Sequence, residues 1–314
     1  MLVLIGVLGA FSLSGCGVKR TEAGQVLAAS PKVNLPEPGK VEPLPDVTRP
    51  DVTTLLKAYN TRNFGSPGWR RVSLDLITNG ETSRSFTVIN LWKDERGEVR
   101  TLFLLQEPQG LSGTNYLLAE HKAGVEVPDM KVYLFLPAGQ RQVLEIEPSK
   151  FNEGLLGSDF TYTDLRMQLP TRGYNYRLAG QCRLHNEPTW VIEAEPASEA
   201  ARQSSTWVLA RFYLAQNFQF LLGADYYSES EEEGGKRLSK RMRVETYEQA
   251  NNVWTATEIR MFTDENHYSI LKMKDAHFTL SSLDSQLFQT QALPLLADDL
   301  RRGWTPETMG SRQR

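Results

Sequence analysis

Cysteine is nearly absent from this chain. Its 314 residues carry two, Cys16 and Cys182, so the fold is not built on a disulfide framework and an apolar core must hold it. Histidine is scarce as well: His121, His185, His267 and His277 fall in no HExxH-like spacing, and no CxxC pair stands in for them, which excludes the common zinc patterns. There is no excess of positive charge. With 35 Lys and Arg against 38 Asp and Glu, the net charge of −3 gives no general attraction to nucleic acid. No GxSxG elbow occurs, Ser158-Asp159 has no histidine near it in sequence, and Gly110-Leu111-Ser112-Gly113-Thr114 lacks the lysine of a phosphate loop and runs into a strand pattern instead of a helix. The expectation is a non-enzymatic protein with no catalytic residue, metal or cofactor.

The apolar, uncharged stretch from Met1 to Leu13 is too short to span a bilayer. It closes on Leu13-Ser14-Gly15-Cys16, which resembles the lipobox of bacterial lipoproteins, although no Lys or Arg precedes it. That resemblance implies a signal peptide over residues 1–15, lipidation of Cys16, and, with Gly17 following, delivery to the outer membrane. Residues 16–50 carry Pro31, Pro36, Pro38, Pro43, Pro45 and Pro50 with almost no aromatic side chains. Such a segment cannot bury enough surface to fold alone and reads as a tether, spanning about 3.1 Å per residue where extended.

Residues 51–314 show no repeat and no second shift in composition, so one domain is expected. Asp51 to Arg62 places Val52, Leu55, Leu56 and Tyr59 on one helical face. From Trp69 the pattern becomes period two. Val72, Leu74 and Leu76 lead to Asn79-Gly80, a strong hairpin signal, and Phe86, Val88, Asn90 and Trp92 share a face on the return. Further strand candidates follow from Val99 to Gln106 through Tyr268 to Leu280, a long antiparallel meander that implies one highly curved sheet. Cys182 sits in one of these strands and reads as a buried, inert thiol. Glu229 to Arg243 reads as a solvated hairpin with arms of opposite charge, or alternatively as a docking patch. The rhythm breaks between Pro148 and Leu169, a loop with helical turns, and a second helix is expected around Ala292 to Arg302.

Within that break, Gly157-Ser158-Asp159-Phe160-Thr161-Tyr162-Thr163-Asp164-Leu165 closely resembles a signature of the outer-membrane lipoprotein-sorting family, with its LolA/LolB-like fold. Other pieces come in the same order: Leu91-Trp92, Gln106-Glu107-Pro108, Gly113-Thr114-Asn115-Tyr116-Leu117, Val132 to Pro137 before Arg141, and Leu287-Phe288-Gln289-Thr290. The resemblance spans roughly residues 69–300; the long tether and the acidic stretch Glu229 to Gly235 depart from it. It implies a mainly β (α+β) fold, an incomplete β-barrel with covering helices, whose apolar cavity accepts acyl chains of lipids or lipoproteins. On that basis Leu74, Leu76, Phe86, Val88, Leu102, Leu104 and Phe135 are expected in the cavity wall. Phe151, Leu155, Leu156, Gly157, Ser158, Asp159, Phe160, Tyr162 and Asp164 are expected in a gate, with Ser158 and Asp159 as turn acceptors for the backbone around Thr161 and Tyr162. The implied location is the bacterial envelope, lipid-anchored to the outer membrane and facing the periplasm. The alternative is a tethered envelope subunit without carrier activity that assembles with a transporter or surface machine.

Overall fold

The structure, a computed structural model, describes residues 38–43, 50–95, 97–121, 130–138, 141–205, 207–230, 235–264, 266–281 and 283–306. Cys16, the expected signal peptide and most of the expected tether lie outside them.

Among the described residues, thirteen strands form one antiparallel sheet. The first meander comprises β1 (Gly68–Thr78), β2 (Glu81–Glu95), β3 (Glu98–Glu107), β4 (Asn115–His121), β5 (Met130–Phe135) and β6 (Val143–Ile146). The second comprises β7 (Tyr174–Leu184), β8 (Glu187–Pro196), β9 (Leu209–Ala215), β10 (Leu221–Ser230), β11 (Gly235–Ala250), β12 (Val253–Asp264) and β13 (His267–His277). Pairing of β1 with β13 joins the two, so the order runs β6-β5-β4-β3-β2-β1-β13-β12-β11-β10-β9-β8-β7. The sheet is curved but not closed, since β6 and β7 remain edges. The expected incomplete barrel is therefore the observed one.

Turn chemistry sets much of the register. Asn79 and Gly80 both adopt positive φ (53° and 82°) between paired Thr78 and Glu81, as a two-residue type I′ turn requires. His185-Asn186 and Asn251-Asn252 do the same in their hairpins. Helix α1 (Val52–Asn60) is capped by Asp51, whose carboxylate accepts from the Thr54 backbone N–H at 2.9 Å. Its expected apolar face is used: Leu56 and Tyr59 are buried against Leu178, Ile192 and Phe212 of the second meander.

The two faces of the first meander bury different partners. Leu74, Leu76, Phe86 and Val88 turn inward with Phe103, Leu105 and Leu118. Leu102, Leu104 and Phe135 do not. They lie on the outer face with Trp69, Ile89 and Leu117, beneath Phe288 and the Leu293, Leu296 and Leu300 side of α3 (Leu293–Arg301). Register is the reason. The β2–β3 hairpin pairs Val88 with Leu105 and Asn90 with Phe103. Directly paired residues share a face, so the even-numbered leucines of β3 point away from the interior. Several pieces of the family-like pattern fasten this outer layer: Asn115 Nδ2 donates to the Leu293 carbonyl at 2.8 Å, and Arg141 Nη2 donates to both carboxylate oxygens of Asp298 at 2.8 and 2.9 Å. Gly113, at φ 88°, lies so close to α3 that a Cβ there would stand 3.2 Å from that of Ala297.

Residues 38–43, expected as tether, lie along the β7 edge. Glu42 and Gln181 exchange backbone hydrogen bonds of 2.8 and 2.9 Å, and Val41 packs beside buried Cys182. An uncovered edge strand offers unpaired N–H and C=O groups, and this stretch satisfies some of them. In the charged hairpin Glu229 pairs with Lys236 across the strands, while Lys236 also meets Glu195 at 2.8 Å and Glu229 meets Arg202; residues 231–234 lie outside the described ones.

Candidate functional site

The chain between β6 and β7 must travel from one edge of the sheet to the other, and it does so across the inner face. Phe151, Leu155, Phe160 and Tyr162 are buried there against the inner residues of β1–β5 and Met261 of β12, with Leu156 partly buried beside them. A cavity of about 190 Å³, open to solvent, lies between this crossing segment and the sheet. Most of its lining is apolar: Val72, Leu74, Val88 and Phe103 from the first meander, Met242, Ile259 and Leu271 from the second, and Leu155, Phe160 and Leu165 from the segment. Of the seven residues expected in a cavity wall, Leu74 and Val88 line it. Leu76 and Phe86 belong to the same inner cluster beyond the lining, and Leu102, Leu104 and Phe135 are corrected to the opposite face.

The crossing segment is held by side chains at defined points. Asp159 is buried; its Oδ2 accepts from Ser269 Oγ at 2.6 Å, its Oδ1 accepts from Thr263 Oγ1, and its own N–H donates to Ser269 Oγ at 3.0 Å. It is therefore a tertiary fastener to β12 and β13, not the local turn acceptor expected. At Thr161 that role falls to Asp164, while Ser158 acts on the backbone of Leu155 and Phe160. Ser158 Oγ accepts from the Phe160 N–H at 3.2 Å and donates to the Leu155 carbonyl at 2.7 Å. Asp164 Oδ2 accepts from both the N–H and the hydroxyl of Thr161 at 2.7 Å and also from Lys240 Nζ. Leu156 and Gly157 make the bend just before these fasteners with φ of 55° and 78°.

Past the bend, Glu120 of β4 accepts from the N–H groups of Met167 and Gln168 at 2.8 and 3.3 Å. Burial pushes its carboxyl above the usual range, opposed by the nearby Arg166 guanidinium and these two N–H donors. Asn60 of α1 makes a reciprocal pair with Leu169, donating at 3.0 Å and accepting at 2.9 Å. Sequence reasoning missed Glu120, Asn60, Thr263 and Ser269, because each acts on a residue far away in the chain. A signal for Glu120 was present: it follows the uninterrupted apolar run Tyr116 to Ala119 in β4, where a carboxylate needs partners.

The cavity is not wholly apolar. Arg62, Arg70, Arg166 and Asp164 also line it. Arg62 Nη1 donates to the carbonyls of Tyr59 and Met167 at 2.8 and 3.1 Å, and Arg166 stands 3.6 Å from Glu120. Arg70 Nε donates to Asn90 Oδ1 at 2.9 Å, and its guanidinium lies 5.5 Å from the centre of the Trp92 ring. Desolvation draws the Arg70 pKa down to about 10, which leaves it charged at neutral pH. Among the described residues no group of three or more His, Cys, Asp and Glu side chains gathers as metal ligands, and no helix is long and apolar enough to cross a membrane.

An open, curved antiparallel sheet with a crossing segment over an apolar inner cavity defines a LolA-like fold, and solved structures agree. A provisionally assigned outer membrane lipoprotein-sorting protein domain from Vibrio parahaemolyticus is 19% identical, with a TM-score of 0.65 over 77% of this chain and 96% of that one. A DUF1329 family protein from Desulfovibrio piger is 20% identical, with a TM-score of 0.63 over 76% and 96%. A LolA superfamily protein from Nitrosomonas europaea is 17% identical, with a TM-score of 0.56 over 77% and 98%. A family model described as "Uncharacterized protein" matches residues 97–294, and the chain belongs to that family. Comparison with curated proteins gives no match.

Proposed function

We propose that this protein is a non-enzymatic envelope lipoprotein that holds a lipid or lipoprotein acyl chain in the inner cavity for sorting or transport. The observation that carries this reading is the apolar cavity between the crossing segment and the inner face of the sheet. Burial of an acyl chain is favourable by roughly 0.8 kcal/mol per CH₂, so apolar walls bind it without any reactive group. The structures with which the fold is shared include one named for outer membrane lipoprotein sorting, which is consistent with such a role. The test is native mass spectrometry of the gently extracted protein. Co-purifying lipid of stoichiometric amount is expected; its absence, together with no binding of a fluorescent fatty acid, would favour a non-carrier envelope subunit.

In the same reading Cys16 carries the acyl anchor, because it closes the Leu13-Ser14-Gly15-Cys16 pattern. Cys16→Ala is expected to move the protein from the membrane fraction to a soluble or uncleaved form. Unchanged fractionation and an unchanged mass of the processed N-terminus would remove the anchor from the proposal.

A further inference from the structure

We propose that Arg70 binds the anionic end of an amphipathic lipid, a carboxylate or phosphate group, while the attached acyl chain lies in the apolar cavity. This rests on the lipid-binding reading above and specifies its ligand class.

Arg70 belongs to the β1 face that also presents Val72 and Leu74, so strand periodicity puts a cation beside the apolar walls. Its placement is built. Asn90 Nδ2 donates to the Leu102 carbonyl at 3.2 Å, which turns Asn90 Oδ1 toward Arg70 Nε, 2.9 Å away. Trp92 flanks the guanidinium. With Nε occupied, neither Nη has a hydrogen-bond acceptor among the described residues, and no carboxylate among them forms an ion pair with Arg70. Other strand arginines differ: Arg71 meets Asp275 at 2.7 Å, Arg211 meets Glu193 at 2.7 Å, and Arg243 meets Asp225 at 2.8 Å.

A partly desolvated guanidinium without a counter-charge is costly, and its remaining N–H donors suit a planar or tetrahedral oxyanion. The rest of the lining does not supply that anion. Asp164 of the lining is taken by Lys240 and Thr161, and Glu120, buried behind the lining, lies against Arg166 and the Met167 and Gln168 N–H groups. Arg62, held by two backbone carbonyls, adds a second positive charge to the lining. A ligand with one negative end and one hydrocarbon end matches this distribution.

The experiment measures binding of cis-parinaric acid and of its methyl ester to the purified full chain. The acid is expected to bind roughly tenfold tighter than the ester, and Arg70→Met to remove that preference by weakening the acid far more than the ester. Arg70→Lys is expected to retain part of it. Equal affinity for acid and ester in the unaltered protein, or equal weakening of both by Arg70→Met, overturns the assignment of Arg70 and leaves the lipid reading standing. Binding of neither probe overturns the lipid reading itself. If Arg70→Met does not fold, the acid-to-ester ratio of the unaltered protein still decides. Displacement of the probe by oleate and by lysophosphatidate then separates fatty-acid from phospholipid sources; no advantage of either over uncharged monoolein also overturns the proposal.

Discussion

Ile259→Trp is expected to weaken binding of a fluorescent fatty acid at least roughly fifteenfold while leaving the protein folded. Ile259 lines the cavity from β12 and is only partly buried, so the indole has the cavity to extend into. The ligand then loses contact with the wall it replaces. Exclusion of two methylenes alone forfeits roughly 1.6 kcal/mol, which is about fifteenfold in affinity. Leu144→Trp is the control: Leu144 is 48% exposed on the edge strand β6 and does not line the cavity. Binding is measured by titration and folding by circular dichroism. Unchanged affinity in a folded Ile259→Trp protein would place the ligand elsewhere.

Asp159→Ala is expected to loosen the crossing segment selectively. The substitution removes the acceptors for Ser269 and Thr263 and leaves the fully buried Ser269 hydroxyl short of a partner. A lost buried hydrogen-bond partner costs about 2 kcal/mol, which is roughly thirtyfold in a local opening equilibrium. Hydrogen exchange at residues 155–162 is therefore expected to accelerate by about that factor, with β5 unaffected, and added lipid is expected to slow it again if the segment gates the cavity. Even acceleration across the sheet would mean that Asp159 supports the whole fold. Exchange insensitive to lipid would make the segment a fixed structural insert.

The fold was largely legible because local rules govern it. Alternation from Trp69 onward, Asn79-Gly80 and the glycine-rich break after Pro148 describe a meander interrupted once, and the observed sheet follows that description. The faces were legible only where a hairpin fixes register. Phe86, Val88, Asn90 and Trp92 do share the inner face, yet Leu102 and Leu104 turn outward, because counting through the β2–β3 turn places Leu105 and Phe103 opposite Val88 and Asn90. A one-residue change in register exchanges the faces of a strand, and apolar residues occupy both faces here. Phe135 was ambiguous for the same reason, since both sides of β5 are covered.

Sequence alone determined the class of structure: a sheet-rich, disulfide-free domain with one long interruption, and a break whose apolar residues require a surface to cover. Its local hydrogen bonds were within reach too, since Ser158 and Asp164 act on backbone a few residues away. Tertiary structure decided the rest. Closure of the first strand against the last brings Leu74 beside Leu271, and the segment's path between the two edges roofs the space they share. Asp159 became a tertiary fastener because β12 and β13 bring Thr263 and Ser269 to it from more than a hundred residues away. Arg70 is left without a counter-charge for a related reason: whether a strand cation meets a carboxylate depends on which strands become its neighbours, and antiparallel pairing between chain ends is not written in any local pattern.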